Sequence, residues 1–260
     1  MEYQNLLTTI KENILYITIN RPQKLNALNR QTLKELADVI IYANTSPDVR
    51  GVLLTGAGEK AFVAGADITE FADFNIQEAE QLARDGQTAV FDAIEHSSKP
   101  FVAAVNGFAL GGGLELAMAC HLRVAATTAK LGLPEVTLGL IPGYGGTQRL
   151  TQLVGKGRAF EMIATADMIS ADRAFEMGLA NRVVPAEELI STAEQLLDKI
   201  KQRAPLAISS AIKATNAALD GGASGYDVEI KAFANCFGTA DLKEGVSAFI
   251  EKRKPQFTGK

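Results

Sequence analysis

Two glutamates in this chain stand where a charge is costly. Glu115 lies in the run NGFALGGGLELAMACHLRVA, which begins at Asn106, and its neighbours are Leu114, Leu116, Ala117, Met118 and Ala119. A carboxylate with such surroundings is buried at a cost unless it is paired or used. Gly111, Gly112 and Gly113 precede it. Three glycines let the backbone approach a ligand closely, and a helix starting there offers unpaired N–H groups and the positive end of its dipole to negative charge. Tight helix–strand packing would use the same glycines, so it is Glu115 that points to chemistry. Glu135 follows twenty residues later in LGLPEVTLGLIPGYGGTQRL. Alone it reads as a loop carboxylate capping a turn; with Glu115 it reads as half of a pair. Two such carboxylates can share one water, one accepting its proton while the other positions it or delivers a proton to substrate, as addition across a double bond requires.

A third element lies upstream in KAFVAGADITEF, from Lys60, where a strand of small residues breaks at Gly65 and presents the backbone of Ala66 before Asp67. If the amide of Ala66 faced that of Gly112, the two would hold a carbonyl oxygen as it becomes an enolate. His96, His121, Cys120 and Cys236 show no metal-ligand spacing. An ordinary structural role is expected for each, and no metal site.

With 260 residues, 47% of them hydrophobic, the chain can bury a substantial core. Its net charge of -4 is spread along the sequence and gives nucleic acid no basic face. No apolar run approaches the ~20 residues that span a bilayer, and MEYQNLLTTI lacks a charged-then-apolar signal pattern. A cytoplasmic protein without membrane contact is expected.

The elements that must position these groups follow from periodicity. ILYITI from Ile14, GVLLTG from Gly51, FVAAVNG from Phe101 and HLRVAA from His121 read as strands, with helices from about Arg30 to Ala43 and through Glu78 to Ile94. That alternation predicts stacked β–α units, and the apolar runs predict sheets covered on both faces. From Thr147 onward the pattern is helical, interrupted by a short strand in NRVVP from Asn181. Ser170 starts one of these helices and Gly178 stops it. The basic cluster Lys252, Arg253 and Lys254 reads as solvated surface.

NRPQKLNAL from Asn20, AFVAGADI from Ala61, KPFVAAVNGFALGGGLELA from Lys99, GLPEVTLGLIPGYGGTQRL from Gly132 and FIEKRKPQF from Phe249 together resemble the crotonase, or enoyl-CoA hydratase/isomerase, superfamily over essentially the whole length. The resemblance implies an α/β fold: a ClpP-like spiral of β–β–α units over residues 1–195, carrying an acyl-CoA site, and a helical trimerisation region over 196–260. It implies a homo-oligomer, a trimer or a dimer of trimers. The oxyanion hole maps to the amides of Ala66 and Gly112. Members with hydratase activity carry both glutamates, which stand here as Glu115 and Glu135, so the resemblance implies syn addition of water to a trans-2-enoyl-CoA, with Glu135 giving the proton to C2. No cofactor is implied, acyl-CoA being the substrate. Gln23, Lys24 and Leu25 map beside the nucleotide, the Ala64 carbonyl to adenine, and Asp67 and Ile68 to the entrance. Phe249 and Lys252 map to positions that approach CoA from a neighbouring region or subunit, which gives the basic cluster a second meaning. Tyr144, next to Gly143 in PGYGG, stands where a small residue is common, and an aromatic there shortens the acyl pocket towards short chains. Leu133 replaces a polar residue of some relatives. An isomerase or a dehydratase of the same fold, or an RNA-binding homologue, are the competing outcomes.

Overall fold

The computed structural model describes residues 2–219 and 224–260. The chain opens with β1 (Leu6–Lys11) antiparallel to β2 (Ile14–Ile19), then α1 (Arg30–Thr45) and β3 (Gly51–Gly56). β4 (Ala61–Val63) crosses to a second sheet, and α2 (Ile76–Gly86), a π-helical turn over Gln87–Phe91 and α3 (Asp92–Glu95) return as one helical stretch. The next unit repeats that order with β5 (Phe101–Val105), β6 (Phe108–Leu110) and α4 (Gly112–Ala119). β7 (Leu122–Ala126) and β8 (Lys130–Gly132) begin another, followed by α5 (Gly146–Val154) and α6 (Lys156–Thr165). β9 (Ile169–Ser170), α7 (Ala171–Glu176), β10 (Arg182–Val184) and α8 (Leu189–Lys201) complete the core. The helices α9 (Pro205–Ala217), α10 (Gly225–Cys236) and α11 (Ala240–Ile250) close the chain.

Each β–β–α unit adds one strand to each sheet and returns through a helix, so successive strands within a sheet run parallel. The larger sheet has the order β1-β2-β3-β5-β7-β10 and the smaller β4-β6-β8-β9; only the β1–β2 and β8–β9 pairs are antiparallel. This is the spiral that the sequence resemblance implied. Side chains alternate across the central strands. Val52, Leu54, Phe101, Ala103 and Val105 face a core shared with α1 and α4, while Leu53, Val102, Ala104 and Val124 face Leu189, Ala193 and Leu197 of α8. Both faces are covered, which is why GVLLTG and FVAAV read as continuous apolar runs. Among the described residues no helix is long and apolar enough to cross a membrane.

Two features differ from the sequence expectation. The division drawn at 195/196 falls inside α8, where Leu197 shares a core with Leu189 and Ala193, so the packed core runs on to the end of that helix. The small-sheet strands β6, β8 and β9 have three residues or fewer, too short to show a period of two. The expected capping of α7 is present: the Ser170 hydroxyl accepts from the Arg173 N–H, and Gly178 ends the helix at φ 84°.

Candidate active site

The end of β6 turns directly into α4, and the glycines make that turn possible. Gly111 has φ 51° and ψ −125°, and its N–H donates to the Gly132 carbonyl at 2.9 Å, which ties the turn to β8. A Cβ on Gly113 would land on the Val63 carbonyl oxygen, so the helix start is pressed against β4 at backbone distance. Packing and ligand access, the two uses foreseen for the triplet, therefore fall on different glycines. Gly112 has no such crowding: a Cβ there would meet Leu28 Cδ1 at 3.5 Å, and the Ala66 amide nitrogen and Tyr144 Cδ2 at 3.7 Å.

Ala66 reaches that space through a single parallel bridge to Leu28. The Leu28 N–H donates to the Gly65 carbonyl at 2.9 Å, and the Asp67 N–H donates to the Leu28 carbonyl at 2.7 Å. A parallel bridge of this kind uses the groups flanking Ala66 and turns its own N–H away from Leu28. The Ala66 amide and the first amide of α4 thus border one small space walled by Leu28 and Tyr144.

One helical turn above Gly111, Glu115 is 1% exposed, and its Oε1 accepts from the N–H groups of Tyr144 and Gly146, both at 2.8 Å. Burial, helped by the charge of Glu135, holds its carboxyl up at about 7 against the bonds from Gly146 and Tyr144 and the charge of Arg149, which pull it down. Its Oε2 accepts from no group among the described residues. Glu135 sits at the start of a 3₁₀ turn over Glu135–Leu138. Its Oε2 is buried with no partner among the described residues, and burial holds its carboxyl above the usual range. A Cβ on Gly111 would lie 2.8 Å from Glu135 Oε1, so glycine at 111 makes room for the second carboxylate. A buried carboxylate oxygen without a partner is rare and calls for a functional reason.

Tyr144 is 8% exposed and stacks on Phe91, with ring centroids 4.6 Å apart and planes at 11°. With Leu28, Ala66, Phe71, Phe74 and Leu82 it lines a narrow cavity beside the two amides. Gly143 lies just before it in an exposed loop, with nothing within 4 Å of a Cβ built there. Gln23 and Lys24 form a 3₁₀ turn, and Leu25 follows at φ 49° with its carbonyl accepting from the Ala64 N–H at 3.0 Å. That bond draws Gln23, Lys24, Leu25 and Ala64 to one rim. Asp67 borders the cavity, bonded by the Thr69 hydroxyl and by Arg21 at 3.1 Å; both hold its carboxyl below the usual range. Ile68 is exposed beside it. Phe249 and Lys252 do not join this rim through any hydrogen bond or ion pair of the described residues; both are exposed at the end of α11.

Two of the other singled-out side chains, His121 and Cys120, are packed inside the fold. His121 Nδ1 accepts from the Phe101 N–H at 2.9 Å, and burial pushes the ring down to about 4. Cys120 is buried, its thiol pushed up to about 12. Sequence reasoning missed Phe91 and the Gly146 amide. A backbone donor leaves no mark on residue type, and Phe91 had only its place in an amphipathic helix.

The raised carboxyl of Glu115 sets a pH dependence. The folded group keeps its proton up to about pH 7 whereas the unfolded one loses it near 4.5. Stability is therefore fully present below the unfolded value and falls as pH rises through that window. Glu115→Gln does not titrate. Its stability relative to the parent should be greater at pH 8 than at pH 4.5, by roughly 3 kcal/mol. Thermal melts across pH test this, and a difference independent of pH would contradict it.

Comparisons with known proteins show the family. A family model described as enoyl-CoA hydratase/isomerase matches residues 9–260. The chain is 46% identical over 261 residues to a crotonyl-CoA hydratase of Syntrophomonas wolfei, covering 100% of both chains. It is 47% identical over 255 residues to a short-chain-enoyl-CoA hydratase of Clostridium acetobutylicum, covering 98% of this chain and 97% of that one. The crystal structure of an enoyl-CoA hydratase from Bacillus anthracis superposes with a TM-score of 0.93 at 40% identity, covering 99% of this chain and 100% of that one. The chain belongs to the enoyl-CoA hydratase/isomerase family and has the crotonase fold.

Proposed function

We propose that this chain is a hydro-lyase that adds water syn across the double bond of short trans-2-enoyl-CoA thioesters, giving 3-hydroxyacyl-CoA. The observation that carries this reading is the pair of carboxylates, buried Glu115 and half-buried Glu135, each with an oxygen that no group among the described residues occupies, near the space that the Ala66 amide and the start of α4 border. The thioester carbonyl sits between the amides of Ala66 and Gly112. Those donors, one at a helix N-terminus, stabilise the enolate oxygen as water attacks C3. The two glutamates hold the water, the pair takes up the proton that the water loses as it attacks C3, and Glu135 passes a proton to C2 as the enolate collapses, which leaves the pair in its starting protonation state. The steps run on these groups alone, so no cofactor enters the scheme. An isomerase would need only one of the two carboxylates; assaying double-bond migration beside hydration separates the outcomes.

The rim formed by Gln23, Lys24, Leu25, Ala64, Asp67 and Ile68 is assigned to CoA, with Lys24 meeting phosphate charge. Phe249 and Lys252 are assigned to complete it from a neighbouring region or subunit. Support for a homo-oligomer, a trimer or a dimer of trimers, comes from α10 and α11, which leave Tyr226, Ile230, Phe233, Phe237, Phe249 and Ile250 exposed in the single chain. The enzyme is assigned to the cytoplasm and to β-oxidation or related acyl-CoA metabolism.

Glu115→Gln and Glu135→Gln should each lower turnover on crotonyl-CoA by roughly 10²-fold or more while leaving CoA-thioester binding largely intact, and the two losses should not add. Near-parent turnover in either single variant would remove the shared water. Chain length follows from Tyr144, whose ring lies against Gly86, beyond which a cavity of about 610 Å³ opens between α1 and α2. Each buried methylene contributes roughly 0.8 kcal/mol, so a wall here decides preference. The parent should favour chains of four to six carbons, and Tyr144→Ala should gain relative activity on those of ten and more. An unchanged kcat/KM profile across the series would move selectivity elsewhere.

A further inference from the structure

Glu115 is held by backbone alone, and a loop that presents two amides to one carboxylate oxygen must itself be anchored. Arg149, in α5, supplies the anchor. Its side chain is 6% exposed, and Nη1 donates to the Tyr144 carbonyl at 2.9 Å. Nη2 donates to Asp92 Oδ1 at 2.8 Å and Glu95 Oε2 at 2.6 Å, while Nε reaches the same Glu95 oxygen at 3.0 Å. Tyr144 therefore has its N–H on Glu115 and its C=O on Arg149. Between the two donor peptides, Gly145 has φ 89°, and any Cβ there would land on Arg149 Nη1.

The carboxylates come from the stretch that contains the π turn. A π turn rotates the residues after it relative to a regular helix. Here Phe91 stacks on the Tyr144 ring while Asp92 and Glu95 face the guanidinium, and Gln87 Nε2 donates to Asp92 Oδ1 at 2.7 Å. One planar fork meets a carbonyl and two carboxylates at once, an arrangement that an ammonium does not reproduce.

We propose that Arg149 is a positioning residue for the reaction, holding the Tyr144–Gly146 turn so that its two amides stay on Glu115. It touches no substrate; it acts through that carboxylate. The inference rests on the hydratase reading, so one readout independent of turnover is needed.

The charged groups facing Glu115 are Glu135, from the 3₁₀ turn, and Arg149, from α5; the nearby Tyr144 phenol is neutral because burial holds its proton. Glu135 favours the protonated form of Glu115 and Arg149 the ionised form. Arg149→Met removes the cation and leaves Asp92 and Glu95 in place, so Glu115 should titrate at higher pH. Asp92→Asn combined with Glu95→Gln keeps the cation and removes its counter-charges, so Glu115 should titrate at lower pH. The two carboxylate side chains are 40% and 25% exposed, which makes the double variant tolerable for folding.

The experiment is an infrared titration of the Glu115 carboxyl, taken as the difference from Glu115→Gln, together with crotonyl-CoA kinetics and melting temperature for each variant. Arg149→Met should lower kcat roughly 10- to 100-fold with KM little changed, and the two variants should shift the titration in opposite directions. A folded Arg149→Met protein with parent kcat and parent titration would overturn the proposal. So would shifts of the same sign, or a double variant that titrates as the parent does. Should Arg149→Met fail to fold, the double variant decides. A parent that titrates as described but does not hydrate crotonyl-CoA would overturn the hydratase reading and leave the Arg149 anchor standing.

Discussion

The junction between β6 and α4 is the constraint on which the site depends. At Gly111 the chain takes a conformation with positive φ, and there a side chain would displace Glu135. At Gly113 it packs backbone to backbone against β4, the strand that continues towards Ala66. These two contacts fix where the first amide of α4 lies relative to the Ala66 amide, and one helical turn later the same backbone places Glu115. Three consecutive residues without side chains thus place the start of α4 and Glu115 and leave room for Glu135.

Such a site works against folding. A buried carboxylate loses its hydration, and two N–H bonds to a charged oxygen return only about 1.5–3 kcal/mol each. Glu115 is kept because its neighbours are fixed by other contacts: Tyr144 by the Phe91 ring, and the α4 start by β4 and β8. The cost is borne by a core packed on both faces of the larger sheet. The charge of Glu135 adds to that cost, since it raises the Glu115 carboxyl further.

Much of this was legible in residue type. Glu115 and Glu135 stood out as charges among apolar residues and glycines, and the long strands β2, β3, β5 and β7 as runs of the right length. Motifs spread over the whole chain carried the family, and with it the spiral. The remainder depends on geometry that single positions do not encode. Strands of two or three residues have no period, and the Tyr144 and Gly146 amides are the same chemical group as any other. The boundary at 195/196 falls inside α8 because that helix has the periodicity of the helices after it, although Leu189, Ala193 and Leu197 pack against the larger sheet. Arg149 carries no mark in the sequence of its role; only the fold shows that its fork faces inward.

The central claim is that the Gly112 and Ala66 amides polarise the thioester carbonyl. The most direct measurement is the infrared carbonyl stretch of an enoyl-CoA labelled with ¹³C at C1, bound to the parent and to Gly112→Val, with bound CoA quantified in both. A β-branched side chain at 112 fills the space between the amides. The account predicts a shift to lower frequency in the parent and its loss in a folded Gly112→Val protein that still binds CoA; a parent carbonyl stretching at its solution frequency would contradict it.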